Sequence, residues 1–349
     1  RLRKRFNRTD NDPRDFFMAT MRDVAKHAGV SLTTVSHVIN DTRFVSDDIK
    51  GRVQVAMQEL DYQPNELARS LRRGQTNTIG LVLPDSSNPF FAEVGQAIET
   101  FAYESGFSVI LGNTYGELDK EDHYITVLQN KQVDGIIFLA AGDRTSSIRK
   151  LLEQQFPVVL VDRDLENIQI DAVMLNNQNG GYLVTKHLIS LGHQRIGIIT
   201  GPSNLTPSAQ RITGYCDALQ ETGLDCEEPL IVKGDFHPNS GYKAAVELLN
   251  LKNRPTGIFA FNDLMAIGVI RAAAEKDLRV PEDLAIVGFD DIELASYTIP
   301  PLTTVAQPIK DFGRIAVELL TEQIEQTNSG PRRIMLSGTL VVRGTCGAG

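Results

Sequence analysis

The chain has 349 residues, 42% of them hydrophobic, and a net charge of −9. That size allows two or three domains with sizeable cores, and no apolar run is long enough to span a bilayer. Residues 1–74 carry 14 Lys+Arg against 10 Asp+Glu and the remainder 21 against 34, so a nucleic-acid module joined to a body that phosphate repels is expected.

Residues 1–17, RLRKRFNRTDNDPRDFF, are charged and lack the apolar core of a secretion signal. They are expected to be a disordered basic arm, or a non-native extension ahead of Met18. Residues 18–63 then read as a small all-α head. Thr20 and Asp23 have capping-box spacing, Val24, Ala25 and Ala28 share a face, and Gly29 supplies a permissive turn. In the following helix Val35, Val38 and Ile39 point inward, leaving Leu32, Thr33, Ser36 and His37 outside. This predicts a helix-turn-helix whose second helix lies in a major groove; an ordinary αα-hairpin is the alternative. Ser46 with Asp47 and Asp48 predicts a capped, dipole-matched third helix, with Val53, Ala56, Met57 and Leu60 closing the core.

Residues 64–76 read as a hinge helix or linker. A helix this short is marginal alone, so it is expected to order only against DNA and a second copy of itself. Leu71 would be the wedge entering a minor-groove step, with Ala68 small enough for close helix approach. A plain basic linker is the alternative.

Residues 77–349 alternate buried apolar strands with amphipathic helices. Strands are predicted at 78–84, 107–113, 135–140 and 158–162. A second series is predicted at 172–175, 195–200, 257–261 and 284–289, with helices between. This gives two doubly wound α/β lobes. The first takes about 77–163 and 307–326, the second about 164–306 and 327–349. Ligands in such folds sit at the carboxyl ends of the strands. The residues there include Asn88, Phe90, Phe91, Asp162, Arg163, Arg211, Asn262, Asp263, Asp290, Asp291 and Gln307, and Phe236 adds an aromatic. Apolar rings with carboxylates, amides and guanidinium groups suit a monosaccharide. For Asn262 and Asp263 simple helix capping is an equal reading.

Cys216, Cys226 and Cys346 have no metal or redox-pair spacing and are expected as thiols in a reducing cytoplasm. No Walker-type cradle, GxGxxG after a strand, nucleophile motif or metal spacing appears. Neither catalytic residues nor a metal is therefore expected. A transport binding protein would need an export signal, which is not seen, and would not need the head.

From Met18 to the end the chain resembles the LacI/GalR family of bacterial repressors. The likeness is carried by DVAKHAGVSLTTVSHVIN (23–40), YQPNELARSL (62–71), SNPFFAEV (87–94), VDGIIF (133–138), GHQRIGIITGP (192–202), FAFNDLMAIGV (259–269), VPEDLAIVGFDDIELA (280–295) and PPLTTVAQP (300–308). Within the family it is most similar to the ribose-responsive branch. The resemblance implies periplasmic-binding-protein-like lobes and a cytoplasmic repressor, nucleoid-associated when bound. It implies a homodimer on a pseudopalindromic operator, with a small sugar as effector and no cofactor. A nucleoside or purine, a hexose, or a phosphorylated protein coeffector are the other effectors the family suggests.

Carried over by position, Leu32, Thr33 and His37 would read bases. Ser31, Thr34, Ser36, Asn40, Asn65, Ala68 and Leu71 would meet the backbone or form the hinge. Phe90, Phe91 and Phe236 would pack on the sugar ring. Asn88, Asp162, Arg163, Arg211, Asn262, Asp290 and Gln307 would complete the pocket. Leu32 stands where some members carry a hydrogen-bonding residue, and favours a thymine methyl.

Overall fold

A computed structural model describes residues 19–63, 75–139, 146–162, 165, 168–202, 206–328, 330–348. Two compact units divide between Thr76 and Asn77. The expected arm 1–17, the hinge residues Asn65, Ala68 and Leu71, and Arg163 lie outside the described residues.

The first unit holds α1 (Met21–Ala28), α2 (Leu32–Asn40) and α3 (Asp47–Glu59). Thr20 and Asp23 form the reciprocal capping box, and Gly29, at φ 64°, ends α1 in the left-handed conformation. Arg52 of α3 donates to the carbonyls of Ala28 (2.6 Å) and Gly29 (3.2 Å), fixing the turn. Val24, Ala25, Ala28, Val35, Val53 and Ala56 form the core, with Val38, Ile39, Met57 and Leu60 packed on it. Ser46 stands at the N-cap of α3 but makes no side-chain cap bond, contrary to expectation. Asp47 and Asp48 in the first turn are left to match the helix dipole.

The second unit begins with β1 (Thr78–Leu83), α4 (Pro89–Glu104), β2 (Ser108–Asn113), α5 (Leu118–Asn130), β3 (Gly135–Leu139), α6 (Ser146–Glu153), β4 (Val158–Val161) and β5 (Asp171–Leu175). Next come α7 (Asn177–Ser190), β6 (Ile196–Thr200), α8 (Thr206–Glu221), β7 (Ile231–Lys233), α9 (Pro238–Leu249), β8 (Gly257–Ala260), α10 (Asp263–Glu275) and β9 (Ala285–Val287). The chain ends with β10 (Thr304–Ala306), α11 (Ile309–Ile324), β11 (Arg333–Leu336) and β12 (Thr339–Val341). One parallel sheet has the order β11-β5-β4-β3-β1-β2 and the other β7-β6-β8-β9, while β10 and β12 pair antiparallel. Among the described residues no helix is long and apolar enough to cross a membrane.

The lobe boundaries differ from expectation. Strands β5 and β11, placed by sequence in the second lobe, pair in the first sheet, as Val159↔Asp171 and Met335↔Met174 show. The chain therefore first crosses to the other lobe after Leu175, and crosses for the last time after Leu336. Only nine residues separate β4 from β5, short of the dozen or more that usually join a parallel pair, so the sequence pattern gave no sign that the two are neighbours. The cysteines differ too. Cys216 on α8 and Cys226 are joined in a disulfide, with Cα atoms 5.4 Å apart, and Cys346 alone is a free, buried thiol. Gly223, at φ 74°, reverses the chain after α8 and brings Cys226 back against the helix.

Candidate functional site

In the head, α2 presents Leu32, 43% exposed, beside exposed Thr33. Ser31 caps α2 by accepting from the Thr34 N–H at 3.0 Å, and the two hydroxyls meet at 2.8 Å. His37 Nδ1 pairs with the Thr42 hydroxyl at 2.7 Å, which orients the ring. Asn40 donates to the Ser36 carbonyl at 2.7 Å, so both side chains are tied to their own helix. The outward set read from sequence thus lies along one short helix whose first turn is open.

In the body, Arg211 of α8 is the centre of a buried polar cluster. It is 4% exposed, yet its Nε donates to Asn177 Oδ1 at 2.8 Å and its Nη1 to the Phe261 carbonyl. Its guanidinium carbon stands 3.5 Å over the Phe289 ring, a cation–π contact worth more for being dry. Helices α7 and α8 approach closely enough for this because of Gly181 and Gly214. A Cβ on Gly181 would stand 2.3 Å from the Arg211 carbonyl, and one on Gly214 1.9 Å from the Gln178 carbonyl.

Asp162, Asp263 and Asp290 set the field around Arg211. Burial pushes the Arg211 pKa down while Asp290, Asp162 and Asp263 push it back up. Burial pushes the Asp162 carboxyl up to about 6, against the pull of Arg211. Asp162 follows β4 at φ 52°, and its Oδ1 is buried without a hydrogen-bond partner among the described residues. Asp290 is also raised, first by burial, with Arg211 opposing. Its Oδ1 accepts from Gln307 Nε2 at 2.7 Å, and Gln307 Oε1 is buried without a partner among the described residues. A buried acceptor without a donor costs free energy until a ligand supplies one.

The remaining predicted residues are more structural. Asn88 caps α4, accepting from the Phe90 N–H at 3.1 Å. Phe90 is buried in the same apolar cluster as Leu83 and Val94, while Phe91, 5.3 Å from it between centroids, is only partly buried. Phe236, at φ 69°, lies against Gly201, where a Cβ would stand 2.0 Å from its ring. Asn262 caps α10 through the Met265 N–H and donates to the Phe236 carbonyl, both at 2.9 Å. One N–H and one lone pair of its amide are thus held by protein, and a second of each is left for a ligand.

Sequence reasoning did not assign Asn177 or Phe289. Asn177 follows β5, an end-of-strand position obscured by the misplaced lobe boundary. Phe289 reads as the last apolar residue of a strand, and its role over Arg211 has no local signal. Among the described residues no group of three His, Cys, Asp or Glu could hold a metal.

Residues 20–65 match the model of bacterial regulatory proteins of the lacI family, and residues 185–346 that of the periplasmic binding protein-like domain. The HTH-type transcriptional repressor PurR of Aliivibrio salmonicida (strain LFI1238) is 42% identical, over 93% of this chain and 98% of its own length. The ribose operon repressor of Escherichia coli (strain K12) is 41% identical, over 94% of this chain and all of its own. Among solved structures, the lac repressor dimer bound to operator and the anti-inducer ONPF aligns with TM-score 0.86 at 30% identity, covering 94% of this chain and 99% of that one. The complex of the regulator CelR with cellobiose aligns with TM-score 0.73 at 32% identity, over 94% and 99%.

Proposed function

From the premise that this chain belongs to the lacI family, as a DNA-binding transcriptional repressor controlled by a small-molecule effector, we propose that the effector is a free pentose, ribose, acting as inducer. The observation that carries this is a set of buried acceptors without a hydrogen-bond partner among the described residues, near one guanidinium: Asp162 Oδ1 and Gln307 Oε1, with Arg211 and Asp290. A polyhydroxyl ring offers donors on several sides, whereas a phosphorylated sugar would set its charge against the acidic groups of Asp162 and Asp290. Phe91 and Phe236 are the partly buried rings available to its C–H face. Leu32, Thr33 and His37 are the proposed base readers, and Leu71 the minor-groove wedge. The protein acts in the cytoplasm, as a homodimer on a pseudopalindrome.

A purine or nucleoside effector is the second reading, favoured by the PurR relatives at 40–42% identity. Calorimetry with ribose, a hexose, guanine and hypoxanthine separates the two readings, and operator titration with each ligand gives the sign. Ribose heat with weakened operator binding supports the proposal. Purine heat alone overturns the pentose, and tighter operator binding with ribose overturns the inducer role.

A further inference from the structure

We propose that Asp263 is a positioning residue of this effector site, holding the loop that bears Asp290 against the strand that leads to Gln307. The inference rests on the effector reading above and adds a residue to it. Asp263 opens α10 and is fully buried, where an acid needs partners. Its N–H donates to the Phe289 carbonyl at 2.8 Å, and its Oδ2 accepts from the Ile292 N–H at 2.9 Å. Its Oδ1 accepts from the Thr304 hydroxyl at 2.5 Å. These bonds bracket Asp290 on both sides in sequence and add an anchor on β10, which ends just before Gln307.

The bracket is needed because Asp290 sits at φ 113°, a backbone conformation that residues with side chains rarely adopt and that the surroundings must enforce. The same bracket sets the approach of Asp290 to Gln307, whose side chains meet at 2.7 Å. Gly288 belongs to this arrangement: a Cβ there would stand 2.2 Å from Asp263 Oδ1, so a larger residue would expel the carboxylate. Asp263 is not serving as a helix cap. Asn262 caps α10, and both Asp263 oxygens are spent on the loop and on β10.

The test combines a double-mutant cycle in the full chain with amide exchange. Asp263→Asn weakens ribose binding about 10- to 100-fold, the scale of leaving a buried hydrogen-bonding group unsatisfied. Asp290→Asn weakens it as well. The double variant is no weaker than Asp290→Asn alone, because Asp263 acts through Asp290. Without any sugar, Asp263→Asn speeds exchange across 288–292 and leaves 196–200 in the same lobe unchanged. Thr304→Val removes one anchor without altering the carboxylate, and gives a smaller loss in the same direction if Asp263→Asn fails to fold. Losses that multiply in the double variant, or unchanged exchange across 288–292, overturn the positioning role. Absence of ribose binding in the wild type overturns the effector reading instead, and the exchange measurement then decides the role of Asp263 by itself.

Discussion

Asp162 carries a testable proton. Its carboxyl titrates near 6 in the folded protein instead of 3.8, because burial penalises the charge more than Arg211 relieves it. Between those values the folded state binds more protons than the unfolded chain, so this group lowers stability as pH rises from about 4 to about 6. A shift of this size corresponds to about 3 kcal/mol at most. Asp162→Asn is therefore expected to raise the melting temperature of the effector-free protein at pH 7 and to change it little at pH 4. Hydroxyl donors favour the ionised form, so under the proposed pentose reading the affinity for ribose is expected to fall below about pH 6, and calorimetry at pH 5 and 7 reads the slope. Arg211→Ala removes the cation facing Asp162 and Asp290 and abolishes the sugar response, while operator binding without sugar persists. A normal response in that variant would displace the site. Asp162, Asp290 and Gln307 could be picked out because each follows a strand in a doubly wound fold, and Arg211 because it lies on the helix after one. Their partners Asn177, Phe289 and the Phe261 carbonyl were not, because those contacts are made by tertiary packing and have no spacing in sequence.

Helix α1 shows how much a local signal decides. Its capping box satisfies backbone donors that a helix of eight residues can hardly leave open, and Asp23 is held below its usual pKa by the Thr20 hydroxyl and N–H. Thr20→Ala is expected to cost about 1 kcal/mol, read as roughly fivefold faster amide exchange across 21–28. Exchange that does not change would mean that packing against α3 alone holds the helix. Helices α1 and α2 were readable because caps, turn glycine and apolar stripe agree within a short window, while α3 was readable from its stripe without the expected Ser46 cap bond. Strands β5 and β11 were not, because each is apolar enough for either sheet and the choice is made by pairing across more than a hundred residues. Sequence spacing also gave no hint of the Cys216–Cys226 bridge, which depends on how the chain reverses after α8.

At the scale of the whole molecule, the proposed switch needs two copies, since a single head covers only one half-site. The body carries an apolar surface suited to that. Strand β2 is the edge of its sheet and exposes Ile110 and Leu111, while Tyr103 on the neighbouring α4 is 77% exposed. An edge strand with apolar side chains is a template for association unless something covers it. In the proposal a second copy does so. Leu111→Asp with Tyr103→Asp places charges on that surface without touching the effector cluster around Arg211. Light scattering is expected to give twice the chain mass for the wild type and a single chain mass for the double variant. Operator affinity then falls steeply, because the second half-site is no longer held at high effective concentration. The proposed ribose binding is expected to survive, while its coupling to DNA, on the usual scale of about 1–3 kcal/mol, is expected to disappear. A variant that stays dimeric places the interface elsewhere. One that becomes monomeric yet keeps full, sugar-sensitive operator affinity shows that the switch works within one chain.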